Sequence, residues 1–267
     1  MANNEYGCKF YQVLPENTEA PYHKEVADVL KNLTGTKQDA VLWREKGLAL
    51  AKKKLFNEAV RAFSGALAAD PFDWLTLRHR GHRFLSVCRF EEALADFELA
   101  YRINPEDWDV MYHLALSRYL TGDNEGADDM YSRCISGTKK DDPNMFAVVN
   151  WKHVNLMRLG KNEEAQKVLD MVDLELDPED NKDYKDNILV YKGLLTAQRA
   201  LAVDKDDPNA SLAYATKGYG IAMHLYYTGK KAEAKEIFDN IIKNNDMWYS
   251  FGNLAAQQDK SAERLTF

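Results

Sequence analysis

Long apolar runs are missing from this 267-residue chain. No window reaches the roughly 18 consecutive apolar residues of a membrane helix, and the opening MANNEYGCKF lacks the apolar stretch of a secretory leader. No membrane span and no export are expected, which leaves the cytoplasm as the expected location. Cysteine is scarce: Cys8, Cys88 and Cys134 are odd in number and lack metal-ligand spacing, so they read as buried, inert thiols of a reducing compartment. With 14 glycines and 7 prolines the chain is short of turn residues, which disfavours a strand-and-turn-rich sandwich. Positive charge is also in deficit. Lys and Arg number 35 against 42 Asp and Glu, a net −7 without like-charge runs, so a generic nucleic-acid binder with a basic footprint is disfavoured. A glycine-rich phosphate loop, a GxSxG elbow, HExxH and CxxC are all absent, so catalysis has no motif support, and neither a cofactor nor a metal is implied.

What is present is a core and a period. An apolar fraction of 45% with 11% aromatics supplies the burial that offsets chain entropy. Gly47, Ala59, Phe63, Ala66 and Pro71 recur 34 residues later as Gly81, Ala93, Phe97, Ala100 and Pro105. A third copy keeps the offset with Ala115, Ala127, Tyr131 and Cys134. Each copy reads as two amphipathic helices and a short turn, for example Ala40 to Lys52 and then Phe56 to Ala69. Gly47 and Ala59 are small where the helices cross, Phe63 fills the space beside them, and Pro71 stops the second helix.

The loop SGTKKDDPNM then lengthens the unit, and Gly160 with Ala165 resumes it. Gly193 and Gly229 stand where Gly122 and Gly160 make their inter-helix turns. The expected repeats are 40–73, 74–107, 108–145, 146–178, a degenerate 179–213 and 214–246. A final helix over 247–264 caps the open end, as a solenoid requires. Residues 1–38 form a separate extension, irregular around Pro15 and Pro21 and then helical from His23 to Leu33, placed to cap the first repeat or fold into the groove.

These residues resemble the tetratricopeptide-repeat family, whose unit is about 34 residues. Trp43, Gly47, Ala59, Phe63, Ala66 and Pro71 fit its pattern, and the resemblance covers roughly residues 39–264. Two departures stand out: His153 occupies a small-residue position, and the fifth unit lacks a convincing second helix. The resemblance implies an all-α fold, a right-handed α-solenoid of about six helix pairs over 39–267, whose first helices line a concave surface that receives a peptide or partner protein. It also implies that one helical stripe faces that surface. The stripe carries Arg44, Leu48, Arg78, His82, Leu85, Asp109, Tyr112, Leu116 and Tyr119, then Asn150, Val154, Met157, Asn187, Tyr219, Met223 and Tyr226. Trp151 neighbours Asn150 and joins the candidates as a stacking group.

Two arginines, a histidine and four tyrosines against one aspartate make the stripe mildly basic, suited to a segment with acidic or carboxylate groups. One subgroup of the family clamps chaperone-tail carboxylates with Lys and Asn. Here Leu48, His79, Asp109 and His113 stand at clamp positions, which disfavours that specificity. His79, His113 and His153 are secondary candidates, with His79 and His113 equivalent in neighbouring repeats and so able to approach. A metal is not expected, because no Cys or carboxylate completes a ligand set. The other tryptophans read as inter-repeat core, and Glu91, Glu92, Asp96, Glu98, Asp128 and Asp129 as a solvated outer face.

The reading is a non-enzymatic peptide-binding module; homo-oligomerisation stays open. The alternative is an anionic small-molecule binder or unusual enzyme, built from Arg78, His82, His113 and Tyr119 and sealed by residues 1–38.

Overall fold

The structure, a computed structural model, describes residues 2–3, 9–10, 37–203, 207, 209–243 and 247–267. The helix expected from His23 to Leu33 and its closure over a groove lie outside the described residues. Near the start, β1 (Ala2–Asn3) pairs antiparallel with β2 (Lys9–Phe10). All other regular structure described is helical. First helices α1 (Lys37–Lys52), α3 (Trp74–Ser86), α5 (Trp108–Thr121) and α7 (Asn144–Arg158) alternate with second helices α2 (Phe56–Ala69), α4 (Phe90–Ile103), α6 (Asn124–Gly137) and α8 (Asn162–Val168). There follow α9 (Lys182–Tyr191), α10 (Ala197–Ala200), α11 (Ala210–Tyr227), α12 (Lys231–Lys243) and α13 (Phe251–Ser261). The fold is an all-α solenoid type of about six helix pairs and a final capping helix.

The period is written into the backbone. Each first helix ends on a left-handed residue, in order Lys54, Cys88, Gly122, Gly160, Gly193 and Gly229. At each, the next N–H returns to a carbonyl five residues back, as in Leu55 to Leu50 at 3.1 Å, Asp123 to Arg118 at 2.9 Å and Lys230 to Leu225 at 2.8 Å. This closure satisfies the last carbonyls of a helix and reverses the chain. Asp73, Asp123, Thr196 and Ser250 cap the helices that follow them by accepting backbone N–H groups.

Contacts divide the chain into two compact units, Met1–Ser117 and Arg118–Phe267. In the first, α1 packs on α2 and α3 on α4 through the small-residue crossings. A Cβ on Gly47 would meet the Phe63 ring at 2.5 Å, and one on Gly81 the Phe97 ring at 2.9 Å. Trp43 lies over Gly65, and Leu50, Leu55, Ala59, Ala62 and Phe63 form one core cluster. Leu67, Leu77, Ala100 and Val110 form another.

The second unit departs from regular pairing. Its fourth-repeat second helix, α8, has 7 residues and passes into a 3-10 turn, Leu169–Met171, while α10 has only 4 residues. With these second helices cut short, α7, α9 and α11 pack against one another. Gly220 makes that approach possible, since a Cβ there would meet Asn187 Nδ2 at 2.7 Å and Asn150 Oδ1 at 3.0 Å. The final helix is shorter than expected, with a turn over Met247–Tyr249 before Ser250 caps α13. Among the described residues no helix is long and apolar enough to cross a membrane.

Candidate binding surface

In the first unit, α1 and α3 carry the basic side chains. Asp73 fixes the start of α3 by accepting from Leu75 N at 3.2 Å and Thr76 Oγ1 at 2.5 Å, and it also accepts from Arg44 Nη1 at 2.5 Å. Burial alone would raise the Asp73 pKa, but the Thr76 hydrogen bond and the Arg44 charge outweigh it and hold the carboxyl below its ordinary range. One repeat on, Asp109 at the start of α5 accepts from Arg78 Nη2. The two stripe arginines are thus held by carboxylates of the same chain, with 22% and 23% of their side chains exposed. On α1, Arg44 is flanked by Val41 and Leu48, each 40% exposed.

The histidines sit in this positive field. His79 stacks on Phe63 with centroids 5.8 Å apart, and burial, then Arg78, Arg44 and Arg83, lower its pKa to about 4. The ring that His113 meets is His82, at 4.7 Å, rather than the expected His79. His113 Nδ1–H donates to the Asp109 carbonyl at 2.6 Å and its ring stacks on Phe97, which makes it a satisfied interior histidine. Tyr112 and Leu116, expected on a groove wall, are 5% and 0% exposed, with Tyr112 stacked on Trp108 at 4.8 Å.

Arg83 was not among the residues expected here. It lies one turn beyond His79 on α3, with its guanidinium 4.8 Å over the Phe56 ring. It makes no hydrogen bond or ion pair with a described residue, and burial pushes its pKa down to about 10. Arg78 Nε is likewise buried without an acceptor. Arg83 closes the run RHRGHR over residues 78–83, and its spacing of five residues from Arg78 puts it outside the inward stripe.

In the second unit, the expected groove residues other than Tyr226 are corrected to interior positions. Tyr119, Met223, Asn150, Trp151 and Tyr219 are no more than 2% exposed. Trp151 lies 5.6 Å from Tyr119 and 5.7 Å from Tyr219 by ring centroids. Asn150 Oδ1 accepts from Asn187 Nδ2 at 2.9 Å and Tyr191 Oη at 2.8 Å. His153 Nδ1–H donates to the Ala165 carbonyl at 2.8 Å, which leaves Nε2 to accept from His224 Nδ1–H at 3.1 Å. Tyr226 is half-buried, and its hydroxyl accepts from Thr266 N at 3.1 Å.

A buried ion pair holds α13 in this unit. Arg158 Nη2 donates to Asp259 Oδ2 at 2.5 Å and Tyr219 Oη at 3.1 Å. Tyr219 donates its single hydroxyl proton to Asp259 at 2.7 Å, so Tyr119 must donate to Tyr219 across 2.6 Å. The Arg158 guanidinium lies 4.2 Å over the Tyr119 ring. No local pattern announces a pair 101 residues apart.

Among the described residues no group of three or more His, Cys, Asp or Glu converges to hold a metal, and Cys88 and Cys134 are buried and outside any disulfide. Asp96, expected on the solvated face, is 5% exposed and takes a two-pronged pair from Arg80 at 2.8 and 2.7 Å.

With helix pairs, left-handed turns and small-residue crossings described, the class follows. The sequence model of the tetratricopeptide repeat matches residues 109–136, covering most of α5 and α6, and the chain has a tetratricopeptide-repeat fold. RNA polymerase II-associated protein 3 of Xenopus tropicalis is 24% identical over 223 residues, 82% of this chain. The chain spans 31% of that relative's length. Among solved structures, YrrB, a TPR protein with an unusual peptide-binding site, aligns with 17% identity and a TM-score of 0.48 over 92% of this chain and 99% of its own. MamA aligns with 14% identity and a TM-score of 0.45 over 86% of this chain and 98% of its own.

Proposed function

We propose that the chain is a non-enzymatic interaction module that takes a carboxylate-bearing peptide segment on the α1 and α3 face of its first unit. The observation carrying this reading is the shortage of acceptors on α3: Arg78 Nε is buried without a partner, and the Arg83 guanidinium has no hydrogen bond or ion pair to a described residue. A guanidinium without an acceptor gains charge-assisted hydrogen bonds when a carboxylate arrives, and Arg83 is open to that pairing. Asp73 and Asp109 support the reading in a second way, because they fix Arg44 and Arg78 while leaving most of each guanidinium's five donors unused. Val41 and Leu48 on either side of Arg44 add apolar area for the segment's other side chains.

The test is an array of acetylated dodecapeptides graded in Asp and Glu content, read against the parent chain and the double variant Arg78→Ala, Arg83→Ala. Acidic peptides should bind the parent with an affinity that falls as salt rises, and the variant about tenfold or more weaker at unchanged helicity. Equal binding to both proteins would remove the α3 face from the reading.

A further inference from the structure

A second site lies in the first unit between α2, α3 and α4. A cleft of about 530 Å³ opens there, within the size range of ligand pockets. Its floor is apolar, built from the buried Val60 and Phe84, with the exposed Ala95 at its edge. Its deep wall is already satisfied internally: Arg80 is clamped by Asp96 and donates to Ser64 Oγ at 3.1 Å.

The rim is not satisfied. Arg89 lies 4.5 Å over the Phe84 ring and donates to Glu92 Oε1 at 2.8 Å, which leaves Glu92 Oε2 buried with no donor. Across the cleft, Arg61 is exposed and makes no hydrogen bond or ion pair with a described residue. The cleft therefore offers an exposed cation, Arg61, with no anion paired to it, beside an apolar floor.

We infer that this cleft docks an extended segment of a partner protein that carries an acidic residue beside a large apolar one. The apolar side chain packs on Phe84 and Val60, and the acidic side chain pairs with Arg61. A segment of chain suits the cleft better than a free metabolite, because the rim side chains Arg89 and Glu92 remain 42% and 38% exposed and cannot enclose a small molecule. The site shares no residue with the Arg44, Arg78 and Arg83 surface, so either can fail without the other.

The experiment selects phage-displayed random heptapeptides on the full chain, then measures the enriched peptides against Arg61→Glu and Ala95→Trp. Both substitutions are at exposed positions, so circular dichroism and the melting temperature should stay at parent values. Enriched peptides should share an acidic residue next to Leu, Ile, Phe or Trp. Each substitution should weaken them about tenfold or more, while Arg78→Ala, Arg83→Ala leaves them unchanged. The inference is overturned if no peptide is enriched, if the enriched peptides lack the acidic residue, if both variants bind like the parent, or if a free amino acid competes as well as the peptides.

Discussion

His153 shows how much of the chemistry here is decided by immediate surroundings. Its Nδ1–H is committed to the Ala165 carbonyl and its Nε2 accepts from His224, so a proton on Nε2 would oppose the His224 N–H. Burial is the first cause that lowers its pKa to about 4, and His224 is lowered to about 4 chiefly by burial as well. Because the folded values lie below the ordinary histidine value of 6.5, the unfolded chain takes up more protons than the folded one between pH 6.5 and 4. The stabilisation is therefore complete above pH 6.5 and is lost as pH falls toward 4. Urea midpoints measured from pH 7.5 to 4 should fall across that window, and His153→Gln should flatten the fall. A midpoint that is level between pH 6.5 and 4.5 would contradict the assignment.

At the scale of elements, the inter-helix turns are the best-determined features, and they were legible because the interaction is local. Gly122, Gly160, Gly193 and Gly229 repeat at the register where each helix must reverse, and all four have positive φ. Lys54 and Cys88 hold the same conformation in the first two repeats without being glycine, so the backbone period continues where the residue type gives no notice. Gly160 isolates the backbone contribution, because an added Cβ would meet nothing within 4 Å. Gly160→Ala should then destabilise the chain by about 1 kcal/mol through the left-handed conformation alone, read from chemical unfolding. An unchanged midpoint would mean that this turn is not held in the left-handed region.

At the scale of the whole molecule, the decisive contact is the one that ties α13 into the second unit. Asp259 is 1% exposed and lies between Arg158 and Tyr219, with Arg264 Nη1 at 3.4 Å. Asp259→Asn leaves the Arg158 charge buried and uncompensated, and should cost about 3–5 kcal/mol, with hydrogen exchange rising first over residues 251–261. Replacing both partners, Arg158→Met with Asp259→Leu, should recover much of that loss; a double variant as unstable as the single one would mean that packing, not charge, holds the helix. The helix pairs, their turns and the crossings of Gly47 with Phe63 and Gly81 with Phe97 follow from residue order alone, because each depends on residues within one repeat length. Which inward positions face solvent depends instead on how the helices pack. Arg44 and Arg78 meet carboxylates at the start of the following first helix, and Tyr119, Trp151 and Tyr219 are core where α7, α9 and α11 pack against one another. A one-dimensional stripe records which way a side chain points along its own helix, and burial depends on what other helices bring to meet it.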